Sequence, residues 1–200
     1  MKYTVYILFI GAVLSCSSTS VLNKQETQPE YILWDGKYKL VWEDFKGEVD
    51  SQYDEYDAVT WVLIDQRQKG LLEDKILYEV VTYFVINDSW VKKDKMNKEL
   101  LQHEQLHWDI SELYARKFRK MCSEHISHNL NSTFKYFNQE YDKMLLEESA
   151  FQTKYDTETN YSKNKEKQKE WVKKVKALLK KYEAYADTYL EIKRVKIGKQ

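Results

Sequence analysis

Between Tyr38 and Asn87 the apolar positions come in short runs rich in β-branched and aromatic residues: Lys39-Leu40-Val41-Trp42, Ala58 through Ile64, and Ile76 through Ile86. Such runs predict strands. Asp35-Gly36 and Lys69-Gly70 are turn signals, and Gly70 with Glu73-Asp74 predicts the closure of one long hairpin. The run at 76–86 is apolar at consecutive positions, as expected of a strand covered on both faces.

After the polar link Asn87 to Lys95 the period changes. Leu100, Leu101, Leu106, Ile110, Leu113, Tyr114, Phe118 and Met121 recur at spacings of three and four, which predicts an amphipathic helix from about Lys95 to His125. Asp94 is its expected N-cap, and Ser127-His128-Asn129 its expected end. A second helix is expected over about Asn131 to Phe151 and a third over about Ser162 to Arg194. The third carries Trp171, Val175, Leu178, Leu179, Tyr182, Tyr185 and Tyr189 as one stripe, for packing or a partner helix. The expected fold class is α+β: a small, mostly antiparallel sheet packed on the first helix, with further helices after it.

The amino terminus bears on location. Lys2 precedes an apolar run, Tyr3 to Leu14, that falls short of the ~20 residues needed to span a bilayer and reads as a secretory signal. Val13-Leu14-Ser15-Cys16 resembles a bacterial lipobox, in which cleavage leaves a lipid-carrying Cys16 at the new terminus. Ser17 in place of Asp after that cysteine implies, by the same resemblance, the outer membrane of the cell envelope. The expected division is a signal over 1–15, a polar tether over 16–30 containing the only proline, Pro29, and one domain over 31–200 with a long C-terminal helix. With Cys16 consumed, Cys122 has no partner and the core alone must hold the fold.

Lys and Arg number 32 and Asp and Glu 32, so nothing in the overall charge favours nucleic acid. The lysines from Lys163 to Lys181 form a solvated face, with contact to anionic headgroups as a secondary reading. The 6 Trp and 16 Tyr are assigned chiefly to packing rather than to glycan binding.

The chemistry concentrates in His103-Glu104-Gln105-Leu106-His107. With only 4 His in 200 residues, that spacing around a glutamate arises by chance about once in a hundred such chains, so the motif calls for a cause. On a helix His103 and His107 stand one turn apart on one face and can present two ring nitrogens to a single zinc ion. Glu104 is rotated by about 100° and reaches a water rather than the metal. Zinc lowers the pKa of its water from about 15.7 towards about 7, Glu104 takes the proton as general base, and hydroxide attacks a polarised carbonyl. The pattern predicts hydrolysis of an amide or similar bond.

Three blocks carry a family resemblance: Val41-Trp42-Glu43-Asp44-Phe45-Lys46-Gly47; Leu100 to Ile110 with Tyr114-Ala115-Arg116; and Tyr155-Asp156-x-Glu158-Thr159-Asn160 with Gln168 and Trp171. They are similar to a bacterial secreted family of unknown function described as a zinc-dependent HExxH protease. The resemblance covers most of residues 38 to 175. It implies a gluzincin-like or related zincin layout, in which a small sheet packs on the active-site helix and a peptide substrate runs along the sheet edge. It also implies a His after Asn160 as third zinc ligand, where this chain has Tyr161. Tyr161 and Glu158 are therefore the leading candidates for the third ligand, with Asp156, His125 and His128 as alternatives. Asp156 and Glu158 are equally explained as acids at the N-terminus of the third helix, and Asp109 as a hydrogen-bond partner for a motif imidazole. His125 and His128 lie far along the same helix from the motif and read as surface residues, Trp108 and Tyr114 as packing.

The reading is an envelope-anchored zinc metallohydrolase, most simply a peptidase, acting on a protein or peptide and tied to the membrane through Cys16. The alternative, from a different class, is a non-catalytic lipoprotein that uses a degraded zincin fold to bind a protein partner, with Tyr161 marking the lost site.

Overall fold

Residues 30–195 are described by the computed structural model, and one strand organises their sheet. Strand β4 (Lys75–Val85) pairs antiparallel along one edge with β3 (Val62–Leu71), the long hairpin expected from Gly70. Its other edge is shared by β1 (Tyr31–Leu33), opposite Tyr83 to Val85, and β7 (Tyr189–Arg194), opposite Lys75 to Glu79. Strand β6 (Ile126–Ser127) joins β7 in parallel, so the sheet is mixed. A separate two-stranded ladder pairs β2 (Ala58–Val59) with β5 (Trp90–Val91). The helices are α1 (Lys98–Glu124), α2 (Leu130–Thr159) and α3 (Lys165–Lys181), which makes the fold α+β.

Alternate residues of β4 point to one side, and that side meets α1. Ile76, Tyr78, Val80 and Phe84 are all buried there, with Leu106, Ile110 and Phe118 of α1 and Trp108 against Phe84. The N-cap of α1 is Asn97, whose side chain accepts from the Leu100 amide, while Asp94 lies in a preceding 3-10 turn.

Three expected elements differ, each for a local reason. Residues 39–42 form no strand, because Asp44 caps a 3-10 turn (Trp42–Asp44): its carboxylate accepts from the Val41 amide and the Tyr38 hydroxyl. The Leu40 amide is turned towards Gln105 of α1. Gly47 then passes so close to the turn after β4 that a Cβ would stand 2.9 Å from the carbonyl oxygens of Asn87 and Ser89, which excludes any other residue.

Helix α2 runs well past Phe151 to Thr159, so Asp156 and Glu158 belong to its last turns and not to the start of α3. No Pro or Gly interrupts it; after Met144 its buried positions are Glu148, Gln152, Tyr155 and Thr159, mostly polar and so hidden from a reading of apolar period. The chain reverses through Asn160, Tyr161 and Ser162, all left-handed with φ of 48°, 50° and 71°. Asn164 caps α3 by accepting from the Lys167 amide.

The expected long third helix stops at Lys181, and the last described element is β7. The spacing of Tyr182, Tyr185 and Tyr189 imitates a helix, yet Leu190 and Ile192 face the core at a strand's period of two and fill the free edge of β4.

The far half of α1 is fastened by buried charge. Glu112 accepts from Arg116 and Arg119 (2.9 and 2.8 Å) and from Thr82 of β4 (2.9 Å). Arg119 reaches the Val80 and Tyr185 carbonyls, and Arg116 the Leu179 carbonyl. Sheet, α1 and the end of α3 meet in this one network. Glu112→Ala strands two buried guanidinium groups and is expected to cost about 3–5 kcal/mol in urea unfolding. Lys120→Ala, which removes an exposed pair with Glu124, should leave the urea midpoint essentially unchanged; equal effects of the two would refute the network's role.

Candidate metal centre

His103 and His107 stand one turn apart on the face of α1 that meets α2, where they face Asp156. The His103 and His107 Nε2 atoms are 3.2 Å apart, and Asp156 Oδ1 is 3.2 Å from the first and 3.0 Å from the second. Among the described residues these form a three-residue group able to hold a metal ion.

The opposite ring nitrogens fix what those atoms carry. His107 Nδ1 lies 2.7 Å from Gln152 Oε1, and the Gln152 amide nitrogen is committed as donor to the His107 carbonyl and to Glu148. His107 Nδ1 must therefore donate, leaving the Nε2 lone pair inward. His103 Nδ1 faces Gln168 Oε1 at 3.2 Å, an oxygen that also accepts from Tyr155. With both rings neutral, two imidazole lone pairs and a carboxylate oxygen thus converge, and the 3.2 Å contact between the two Nε2 atoms is a hydrogen bond only when one of them carries a further proton. Asp156 Oδ1, though close to both nitrogens, has no aligned hydrogen bond.

Acceptors so placed repel one another unless a cation lies among them. Two ligand atoms about 2.0–2.1 Å from one tetrahedral ion stand about 3.3 Å apart, so the observed triangle fits a small divalent ion. Two nitrogens and one oxygen are a donor set that zinc accepts, and three protein ligands leave a fourth position open.

In the metal-free chain a proton serves instead. Burial pushes the His107 imidazolium towards lower pKa, but the Asp156 carboxylate outweighs this and holds it at about 9. Burial likewise pushes Asp156 up, and His107 and His103 override it, keeping the carboxyl well below the usual carboxylate range.

The supports come as two matching ladders. His103, His107 and Ser111 follow at four-residue intervals on α1, and Glu148, Gln152 and Asp156 do so on α2. Glu148 accepts from Ser111 (2.8 Å) and Gln152 (2.7 Å), so the carboxylate anchors the amide that orients His107. Tyr155 stacks on His103 at 4.5 Å between ring centres. Gln168 is brought in by the first turn of α3.

Glu104, buried beside the histidines, is held through Oε2 by the Thr60 hydroxyl at 2.8 Å, from the link between β2 and β3. The other expected ligands lie elsewhere. Glu158 accepts from the Trp171 indole and is not part of the three-residue group. Tyr161 packs edge-on against Tyr56 at 5.7 Å. His125 stacks on Tyr136 and His128 is exposed, both at the far end of α1. Asp109 accepts from Trp34 and Gln105 rather than from an imidazole.

The chain matches no protein-family model, no curated protein and no solved structure.

The sign of the pH dependence follows from the two shifts. His107, raised to about 9, contributes stability that is full below about pH 6.5 and lost as pH rises through 9. Asp156, lowered, contributes stability present above about pH 4 and lost in stronger acid. A divalent ion must displace the proton, so its binding tightens as pH rises. The increase in Tm on adding stoichiometric zinc is expected to be larger at pH 8 than at pH 6; an increase independent of pH would contradict a shared proton and metal site.

Proposed function

We propose that this protein is a zinc-dependent metallohydrolase, acting most simply as a peptidase. The observation that carries the reading is the convergence of His103 Nε2, His107 Nε2 and Asp156 Oδ1 within 3.2 Å of one another. It supports an intact site and weighs against a degraded one, since Asp156 supplies a third donor whatever stands at Tyr161.

When bound, zinc supplies Lewis acidity that lowers the pKa of a water and polarises a substrate carbonyl. The chain's own residues do the rest. His103, His107 and Asp156 hold the ion, and Gln168 and Gln152 keep both imidazoles in the tautomer that binds it. Glu104, next to His103 on the helix but turned towards Thr60, is the general base that takes the proton from water and returns it to the leaving amine. Thr60 fixes one carboxylate oxygen and leaves the other for that transfer.

The sheet edge suits an extended substrate. The Trp61 carbonyl accepts from Val85, so by alternation Val62 turns its backbone groups outward, two residues after Thr60, which holds Glu104. Two residues on, the Ile64 carbonyl is taken by the Tyr141 hydroxyl, which ends the open edge. A peptide added there lies across Glu104.

The reading extends to an envelope protein anchored through Cys16. That cysteine and the apolar run before it lie outside the described residues, among which no helix is long and apolar enough to cross a membrane.

Full-length protein loaded with zinc should hold about one ion per chain and cleave some member of a mixed peptide library. Glu104→Gln should keep its zinc and lose at least about a hundredfold in kcat, whereas Asp156→Ala should lose the zinc itself. Full activity in Glu104→Gln, or a normal zinc content in Asp156→Ala, would sink the assignment.

A further inference from the structure

Tyr161 lies outside the three-residue group, yet its backbone is tied to one member: the Tyr161 amide donates to the Asp156 carbonyl at 3.0 Å. Its φ of 50°, between left-handed Asn160 and Ser162, is a conformation that costs an aromatic residue energy. Such strain persists where surroundings or function impose it.

The ring reaches across to the segment that precedes Thr60. It meets Tyr56 edge-on at 5.7 Å, and Tyr56 meets Tyr53 at 6.3 Å. Tyr56 stands four residues before Thr60, the holder of Glu104. The Tyr56–Tyr161 contact therefore links the segment that leads to Thr60, which positions the base, to the reversal after the helix end that supplies Asp156. All three tyrosines are half-buried, so part of the aromatic row remains in contact with solvent.

The segment carrying Tyr53 and Tyr56 is acidic. Glu48, Asp50, Asp54, Glu55 and Asp57 fall within ten residues that contain no Lys, Arg or His. Lys92 matches Asp54 at 2.9 Å. The row thus offers aromatic surface beside an acidic segment. Aromatic surface rewards a ring or large aliphatic group laid against it, and the surrounding charge repels a carboxylate.

We propose that the Tyr56–Tyr161 pair is the specificity element of this centre, selecting peptides with an aromatic or large aliphatic side chain beside the scissile bond and rejecting an acidic one there. The proposal rests on the metallopeptidase reading above. Tyr161 acts on the substrate's side chain, so zinc binding and the base are left to other residues.

The test uses full-length, zinc-loaded protein carrying Glu104→Gln, which is built to bind without turnover. Three peptides alike except for Phe, Ala or Asp at the position after the intended scissile bond are compared by fluorescence anisotropy. The Phe peptide is expected to bind about tenfold or more tighter than the Ala peptide, and the Asp peptide more weakly still. Adding Tyr161→Ala or Tyr56→Ala should collapse the Phe preference with zinc content unchanged, and Tyr161→Phe should preserve it. Two independent alanine variants guard against a folding defect in either. Equal Phe-to-Ala ratios with and without Tyr161→Ala would overturn the proposal, as would zinc-loaded protein that binds none of the peptides; both results leave the metal centre standing. Protein that takes up no zinc overturns the metallopeptidase reading itself.

Discussion

Three electron-pair donors brought within about 3 Å of one another repel unless a proton or a metal ion lies among them. Here they are two imidazole nitrogens on one helix and a carboxylate oxygen on the next. Much of the helical layer is arranged to hold this convergence. Gln152 and Gln168 take the Nδ1 hydrogens, Glu148 and Ser111 hold Gln152, and Tyr155 covers His103. An apolar contact between α1 and α2 would be simpler to fold, since each buried polar group needs a partner. The polar ladder meets that requirement at most positions, and the groups left open around the histidines are Asp156 Oδ1 and the Gln168 amide nitrogen.

The stability of such a helix pair has to come from elsewhere along it. The apolar cluster shared by β4, α1, α2 and α3 provides most of it, with Ile76, Val80, Ile110, Phe137 and Trp171 essentially sequestered from water. The Glu112–Arg116–Arg119 network locks the other half of α1 to the sheet and to the end of α3. Helix α1 thus carries ionisable groups towards both ends: the histidine pair that faces Asp156 near the start, and a self-neutralised cluster further on. Residues of the blocks that resemble a secreted protease family take parts in this frame: Gly47 permits a close crossing, Arg116 joins the network, Gln168 orients His103, and Trp171 binds Glu158.

What could be read from the chain beforehand was local. His103, Glu104 and His107 lie within one helical turn, and the β3–β4 hairpin announces itself by alternation and a glycine turn. The third donor depends on two helices meeting. Asp156 stood among the alternatives but behind Tyr161 and Glu158, and was equally explained as an acid at the N-terminus of the third helix, because the polar stretch after Phe151 hides that Gln152 and Asp156 continue the inward face of α2. One signal was present: the four-residue spacing of Glu148, Gln152 and Asp156 repeats that of His103, His107 and Ser111. Strand β7 was hidden for a different reason, since the spacing of Tyr182, Tyr185 and Tyr189 satisfies a helix as well as the observed 3-10 turn and strand do. Thr60, the partner of Glu104, carries no local mark at all.

The most direct measurement is a crystal structure of the full-length chain grown with cobalt or zinc, with the ion located by anomalous scattering. One strong peak is predicted at about 2.0–2.1 Å from His103 Nε2, His107 Nε2 and an Asp156 carboxylate oxygen, with Glu104 outside the coordination sphere. A peak that engages Glu158 or Tyr161 in place of Asp156, or no peak in protein whose three side chains keep their 3 Å triangle, would contradict the account.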